Sequence, residues 1–397
     1  MSLLYKLKGR IVSSLLKFLP IQLPVVFKGA GSTVQLCGQI DSLGYSKVLI
    51  VTDEVLHKLG ALDVVKAELD KSGIAYAIYD KVQPNPLFSQ VLEALALFQQ
   101  EQCQAVVSIG GGSVIDAAKM VAMMHTNPGD KLKKYDGIQK FKKAGVTQFV
   151  VPSTAGTGSE VSVGAVITDD TTHAKFVIID TKMAPQYVAL DSEIMKGMPP
   201  GITAATGMDA LTHAVESYLA TGGGEASDLQ AKTATKLIFK YLKRAYQNGE
   251  DMEARDNMAL AAFYAGVAMS RTSLGYVHGV AHQLSRLCET PHGLANAMVL
   301  PEVLSAYGNS VHKKLADLAR EAGIGNADDN DSQLANDFIQ AIKDLRSDMA
   351  MPLKPKGFKP EYVQDVTDAA ISETGNLYPV PRYMSKAEIS VVVQGLV

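Results

Sequence analysis

Residues 105–116 read AVVSIGGGSVID. Ala105 to Ile109 is a short apolar run. It meets three glycines, Gly110, Gly111 and Gly112, and passes through Ser113 into a helical pattern from Val114 to about His125. A run of that length bounded by glycine reads as a buried strand followed by a tight turn and a helix start. The same grammar recurs on either side. Lys47 to Thr52 (KVLIVT) is a β-branched run ending at Asp53, and Ala75 to Tyr79 is a second short run, followed by the turn Gln83-Pro84-Asn85-Pro86. Leu87 to Gln100 has helical periodicity, and Gln148 to Val151 is a further strand. Short strands alternating with helices predict a parallel, Rossmann-like sheet covered on both faces.

Beyond about Pro199 the pattern changes. Segments 201–220, 225–247, 252–271 and 296–307 are long, rich in Ala, Leu and Met, and helix-periodic, while strand signals nearly vanish. Pro199-Pro200 cannot continue a helix or strand and reads as a hinge. The expected architecture is an α/β domain over 1–198 joined to an all-helical domain over 199–397, with a site in the cleft between them. Gly222-Gly223-Gly224 reads as a loop between helices, and there is no internal repeat.

The composition fits two packed domains. The chain has 397 residues, 47% hydrophobic and 20% charged, so disorder is not the default. A net charge of −3 gives no electrostatic case for nucleic acid. Cys37, Cys103 and Cys288 are sparse and form no CxxC pair, which fits a reducing, cytoplasmic setting. No run approaches the roughly 20 apolar residues of a membrane span. Over residues 1–25, Lys6, Lys8, Arg10 and Lys17 punctuate an apolar stretch without acids. Such a basic amphipathic extension could touch a membrane or serve as a targeting peptide; a short helix docked on the protein body is the preferred reading, because Lys17 interrupts the apolar run.

Two glycine-rich loops have the chemistry of a phosphate cradle. Gly110 to Ser113 lets backbone N–H groups at a helix start approach a diphosphate, although a strand-to-helix turn wants glycine in any case. Ser153-Thr154-Ala155-Gly156-Thr157-Gly158-Ser159-Glu160 follows another strand and is dense in hydroxyls. Two such loops at neighbouring strand ends would share one ligand crevice. Neither is GxGxxG, so the usual dinucleotide fingerprint is absent. Asp53 at a strand end could accept from ribose hydroxyls and repel a 2′-phosphate, or be a solvated turn residue.

A second constellation lies in the helical half. Asp209 and His213 are four apart, as are His278 and His282, so each pair shares a helix face. Pro291 ends any helix running from His282, and a turned chain could bring His292 back toward His278. Three imidazoles and a carboxylate suit Zn²⁺ or Fe²⁺. On spacing alone, these residues could equally be core histidines satisfied by polar partners.

Taken together, Gly110–Ser113, the Thr154–Glu160 loop, Gly207–Ala214 (GMDALTHA) and Gly275–His282 (GYVHGVAH) through Pro291-His292-Gly293 resemble the iron-containing (group III) alcohol dehydrogenases. The resemblance runs from about Phe27 to beyond Pro301. It implies that Asp209, His213, His278 and His292 hold a divalent metal, Fe²⁺ or alternatively Zn²⁺, with His282 unligated beside the substrate. It implies NAD as cofactor, with Asp53 and Asn85 near the adenosine, Gly111, Gly112, Ser113 and Asp116 at the diphosphate, and Ser153, Thr154, Thr157 and Lys175 further in. Ser153 stands where threonine is usual. The implied reaction interconverts a small alcohol and its aldehyde or ketone, in a homodimer or larger assembly. A metal- and NAD-dependent lyase or cyclase of the dehydroquinate-synthase type shares the two-domain plan and is the alternative, and a non-enzymatic nucleotide sensor or scaffold is a more distant rival. From Ser285 to Glu289 the chain departs from its relatives' glycines and aromatic pair, which weakens inference about the substrate by analogy.

Overall fold

The computed structural model describes residues 21–326 and 328–397; the expected N-terminal extension lies outside them through residue 20. The chain forms two compact units, one ending at Met198 and the other spanning Pro199–Val397.

In the first unit nine strands occur among the described residues: β1 (Val25–Lys28), β2 (Lys47–Val51), β3 (Ala75–Tyr79), β4 (Ala105–Gly110), β5 (Gly137–Ile138), β6 (Gln148–Pro152), β7 (Gly164–Thr168), β8 (Lys175–Ile179) and β9 (Tyr187–Leu190). Six of them make a parallel sheet in the order β1-β9-β6-β4-β2-β3. The helices are α1 (Ser32–Ser42), α2 (Glu54–Lys58), α3 (Asp63–Lys71), α4 (Phe88–Gln100), α5 (Gly112–Thr126) and α6 (Ser192–Met195). Val48, Leu49, Ile50 and Val51 on β2 all have zero exposure, which only a central strand covered on both faces allows. Their side chains alternate: Leu49 and Val51 pack with α4 and α5, whereas Val48 and Ile50 pack with α1 and α3. The chain runs outward from β2 to β3, then returns to lay β4 on the other flank of β2. That reversal is the switch point at which open α/β sheets leave a crevice beyond the strand ends. A second sheet, β5-β8-β7, was not foreseen; β7 and β8 form an antiparallel hairpin.

The second unit contains only helices among its described regular elements: α7 (Pro200–Leu219), α8 (Glu225–Gln247), α9 (Met252–Thr272), α10 (Tyr276–Cys288), α11 (His292–Tyr307), α12 (His312–Ala322), α13 (Asp331–Asp348), α14 (Tyr362–Leu377) and α15 (Lys386–Gln394), with one short 3-10 turn at Gly308–Ser310. Pro199 and Pro200 start α7, with Pro200 in the first turn where its missing N–H costs nothing. No helix among the described residues is long and apolar enough to cross a membrane.

Pro301 sits inside α11 and cannot donate to the carbonyl of Ala297 four residues earlier. Buried Arg346 on α13 supplies the substitute: its Nη1 reaches Ala297 O at 3.3 Å and Met298 O at 3.4 Å.

Candidate metal centre and nucleotide loops

Helices α7, α10 and α11 bring the four expected donors together. Asp209 and His213 lie one turn apart on buried α7. His278 lies in the first turn of α10. That helix ends at Cys288, Glu289 adopts a left-handed conformation, and Pro291 precedes His292, the first residue of α11. The turn foreseen from Pro291 is thus the device that returns His292. Around Asp209 Oδ1, the Nε2 atoms of His292, His278 and His213 lie at 3.5, 3.7 and 3.8 Å. Donor atoms of Asp209, His278 and His292 all fall within 4.8 Å of one another. Donors each about 2.0–2.2 Å from a tetrahedral cation would stand roughly 3.3–3.6 Å apart, so Asp209, His278 and His292 fit a divalent metal, with His213 Nε2 near the same carboxylate oxygen. Asn296, one turn beyond His292, donates from Nδ2 to Asp209 Oδ1 at 2.7 Å, while its buried Oδ1 has no partner among the described residues.

The electrostatics also draw a cation. Burial opposes charge on His278, but Glu216 and Asp209 lift its pKa to about 9. Although the His292 side chain is 38% exposed, desolvation and the neighbouring imidazoles push its pKa below the ordinary value despite Asp209. Burial pushes the Asp209 carboxyl up, yet His213, His292 and His278 hold it well below the usual range.

His282 stands apart from this donor set but beside it. Its ring stacks on His292 with centroids 5.3 Å apart. Its Nδ1 lies 2.7 Å from Glu373 Oε1, which also accepts from the Tyr378 hydroxyl at 2.6 Å, and Gln283 Nε2 donates to Glu373 Oε2 at 3.1 Å. Burial pushes the Glu373 carboxyl up, but these donors hold it below its ordinary value. Sequence reasoning missed Glu216, Asn296 and Glu373. Glu216 is three residues beyond His213 and Asn296 four beyond His292, spacings that would have placed them on the same helix faces. Glu373 carries no local signal.

In the first unit, Gly111, Gly112, Ser113, Ser153, Thr154 and Thr157 meet at the ends of β4 and β6. Ser153 N donates to Gly110 O at 2.9 Å. A Cβ at Gly112 would lie 2.9 Å from the Thr157 side chain, so the two loops need glycine there. Asp53 lies two residues beyond β2 and caps α2 by accepting from Leu56 N, which is a structural duty. Asn85 takes a left-handed conformation. Lys175 is exposed at the start of β8, paired with Thr168, whose N–H bonds Pro86 O next to Asn85. Asp116 is fixed within the unit, its Oδ2 accepting from Val166 N.

Beneath the loops Lys119 is fully buried and donates to Ser162 O, Ser162 Oγ and Gly164 O, each at 2.9 Å. Glu160 is buried nearby, and burial raises its pKa from 4.5 to about 7. The fold therefore prefers protonated Glu160. Its contribution is fully present below pH 4.5 and is lost as pH rises through about 7. Relative to Glu160→Gln, the wild type should lose up to roughly 3 kcal/mol of stability across that window. Denaturant unfolding of both proteins at matched pH values measures this; parallel curves would refute it.

A sheet with paired glycine loops at its strand ends and a three-imidazole, one-carboxylate cluster point to the class of metal-assisted, nucleotide-linked enzymes. Residues 24–192 match the model of the iron-containing alcohol dehydrogenases, and residues 203–396 match that of the C-terminal part of the Fe-containing alcohol dehydrogenase family. The chain is 44% identical to alcohol dehydrogenase 4 of Schizosaccharomyces pombe over 74% of its own length and 70% of the relative's. It is 37% identical to the NAD-dependent methanol dehydrogenase of Bacillus methanolicus, covering 83% of this chain and 86% of that one. A solved structure of 1,3-propanediol oxidoreductase matches with a TM-score of 0.92 at 36% identity, covering 96% of this chain and 100% of the other. The chain belongs to the iron-containing alcohol dehydrogenase family. The dehydrogenase reading thereby prevails over the lyase alternative.

Proposed function

We propose that the chain interconverts a primary or small alcohol and its aldehyde or ketone with NAD, using a divalent metal, Fe²⁺ first and Zn²⁺ second, held by Asp209, His213, His278 and His292. The clustering of three imidazole nitrogens around one buried carboxylate oxygen carries this reading. When bound, the metal supplies Lewis acidity that lowers the pKa of an alcohol hydroxyl. NAD supplies the hydride acceptor.

The remaining work belongs to side chains. With Nδ1 of His282 committed to Glu373, its Nε2 is the atom left to take the hydroxyl proton and release it to solvent. The His282 side chain is 27% exposed, so water can reach it. The backbone at Gly111 and Gly112, with Ser113, Ser153, Thr154 and Thr157, forms the expected diphosphate cradle. Asn85, Asp116 and Lys175 belong to the same cofactor reading; for Asp116 the support is indirect, since it fastens α5 to β7.

Asp53 is proposed to set the preference for NAD, and its relation to the NAD-dependent methanol dehydrogenase supports that choice. Asp53→Gly should relax preference toward NADP; an unchanged ratio of kcat/KM for the two cofactors would reject the role. On this reading residues 1–198 are the cofactor domain and 199–397 the metal domain. A homodimer or larger assembly is proposed, supported by β1, which among the described residues is an edge strand with Val25 and Val26 exposed. A cytoplasmic setting is proposed from the three free cysteines. Assays of an alcohol and aldehyde panel with NAD and NADP, on protein reconstituted separately with Fe²⁺ and Zn²⁺, test the function. Absence of turnover in every combination would reject it.

A further inference from the structure

We propose that Glu216 is a positioning residue of the metal centre: it locks the imidazole of His278 in the one tautomer that can ligate through Nε2. The inference rests on the ligand assignment above. Glu216 lies on α7, two turns beyond Asp209, and is buried. Its carboxylate accepts three hydrogen bonds, all from the start of α10. Oε2 accepts from His278 Nδ1–H at 2.6 Å and from Gly275 N–H at 2.9 Å; Oε1 accepts from Val277 N–H at 2.8 Å.

A carboxylate can only accept, so Nδ1 must hold a proton and Nε2 is the one nitrogen left for a metal, which takes the place of any proton there. That nitrogen faces Asp209 Oδ1 at 3.7 Å. The reach depends on residue 275, because a Cβ there would stand 2.5 Å from Glu216 Oε1. One buried group thus fixes the register of α10 and the direction of its ligand. The helix that supplies Asp209 and His213 thereby also orients the third donor. A carboxylate at the outer nitrogen also makes an imidazole a better ligand.

The test is Co²⁺ binding to the full chain, followed by chelator competition and by the visible spectrum of the bound ion. It uses wild type, Glu216→Gln, Glu216→Asp and His278→Ala. Glu216→Gln should weaken Co²⁺ binding by about 10- to 100-fold and shift the visible bands. His278→Ala should lose Co²⁺ altogether.

Glu216→Asp, which keeps the charge but shortens the arm, should show an intermediate loss; should Glu216→Gln fail to fold, wild-type affinity in the aspartate variant would overturn the proposal. A Glu216→Gln variant whose Co²⁺ keeps the wild-type visible bands at saturation would also overturn it, since the coordination of His278 would then be untouched. If His278→Ala loses Co²⁺ while Glu216→Gln keeps it, the proposal fails and the ligand set stands. Retention of Co²⁺ by His278→Ala would instead overturn the ligand set.

Discussion

Replacing His278 with alanine is expected to remove the bound divalent metal and to lower kcat/KM by at least about a thousandfold, the scale of losing a Lewis acid. The change also leaves the buried Glu216 carboxylate without its imidazole partner. Stability should fall by roughly 2–3 kcal/mol on that account, since a buried charged acceptor loses its donor. His292→Ala provides the contrast. Its side chain is 38% exposed, so water can fill the space and the stability cost should be smaller, while metal and turnover are lost alike. Metal content by elemental analysis, turnover and the unfolding midpoint separate these effects. Retention of stoichiometric metal by both variants would remove the ligand assignment.

Gly293→Ala should be damaging although it touches no functional group. Its new Cβ would lie 2.2 Å from Ala205 O and 2.7 Å from the Ala205 carbonyl carbon, both backbone atoms that cannot rotate away. The nearest side-chain atom is the Cβ of Asp209, at 3.3 Å. α11 must therefore move off α7, and it carries His292 away from Asp209 as it goes. Overpacking of this kind costs about 1–3 kcal/mol. Ligand sets tolerate only about 0.5 Å of displacement, so metal affinity in the folded fraction should fall by roughly tenfold or more. Equilibrium dialysis and thermal unfolding report the two losses; wild-type values in both would contradict the close packing of these helices.

Much of this is legible in the sequence. The central strands β2, β4 and β6 announced themselves because burial on both faces demands uninterrupted apolar runs. β1 did not, since an edge strand with Val25 and Val26 exposed has little hydrophobic contrast. The β7–β8 hairpin was also missed. Its turn is made by Asp169 Oδ1, which accepts from Thr171 N and Thr172 N, an Asx turn that was readable in Asp169-Asp170-Thr171-Thr172. At the metal centre the i,i+4 pairs and Pro291 were visible, but spacing alone left core histidines as an equal reading. The motifs shared with a known family, not the spacing, separated His282 from the other three. Glu373 could not have been found this way, because it arrives from α14, some 90 residues beyond His282, and contact across that distance leaves no local periodicity.

The proline in α11 now takes on a mechanical meaning. Helices interrupted by proline commonly bend there, which would make residue 301 a joint a few turns below His292 and Asn296. Arg346 ties down the side of that joint which carries the donors, holding two carbonyls from a helix 49 residues further along the chain. The rigidity of a donor set is thus borrowed from a side chain that never approaches it.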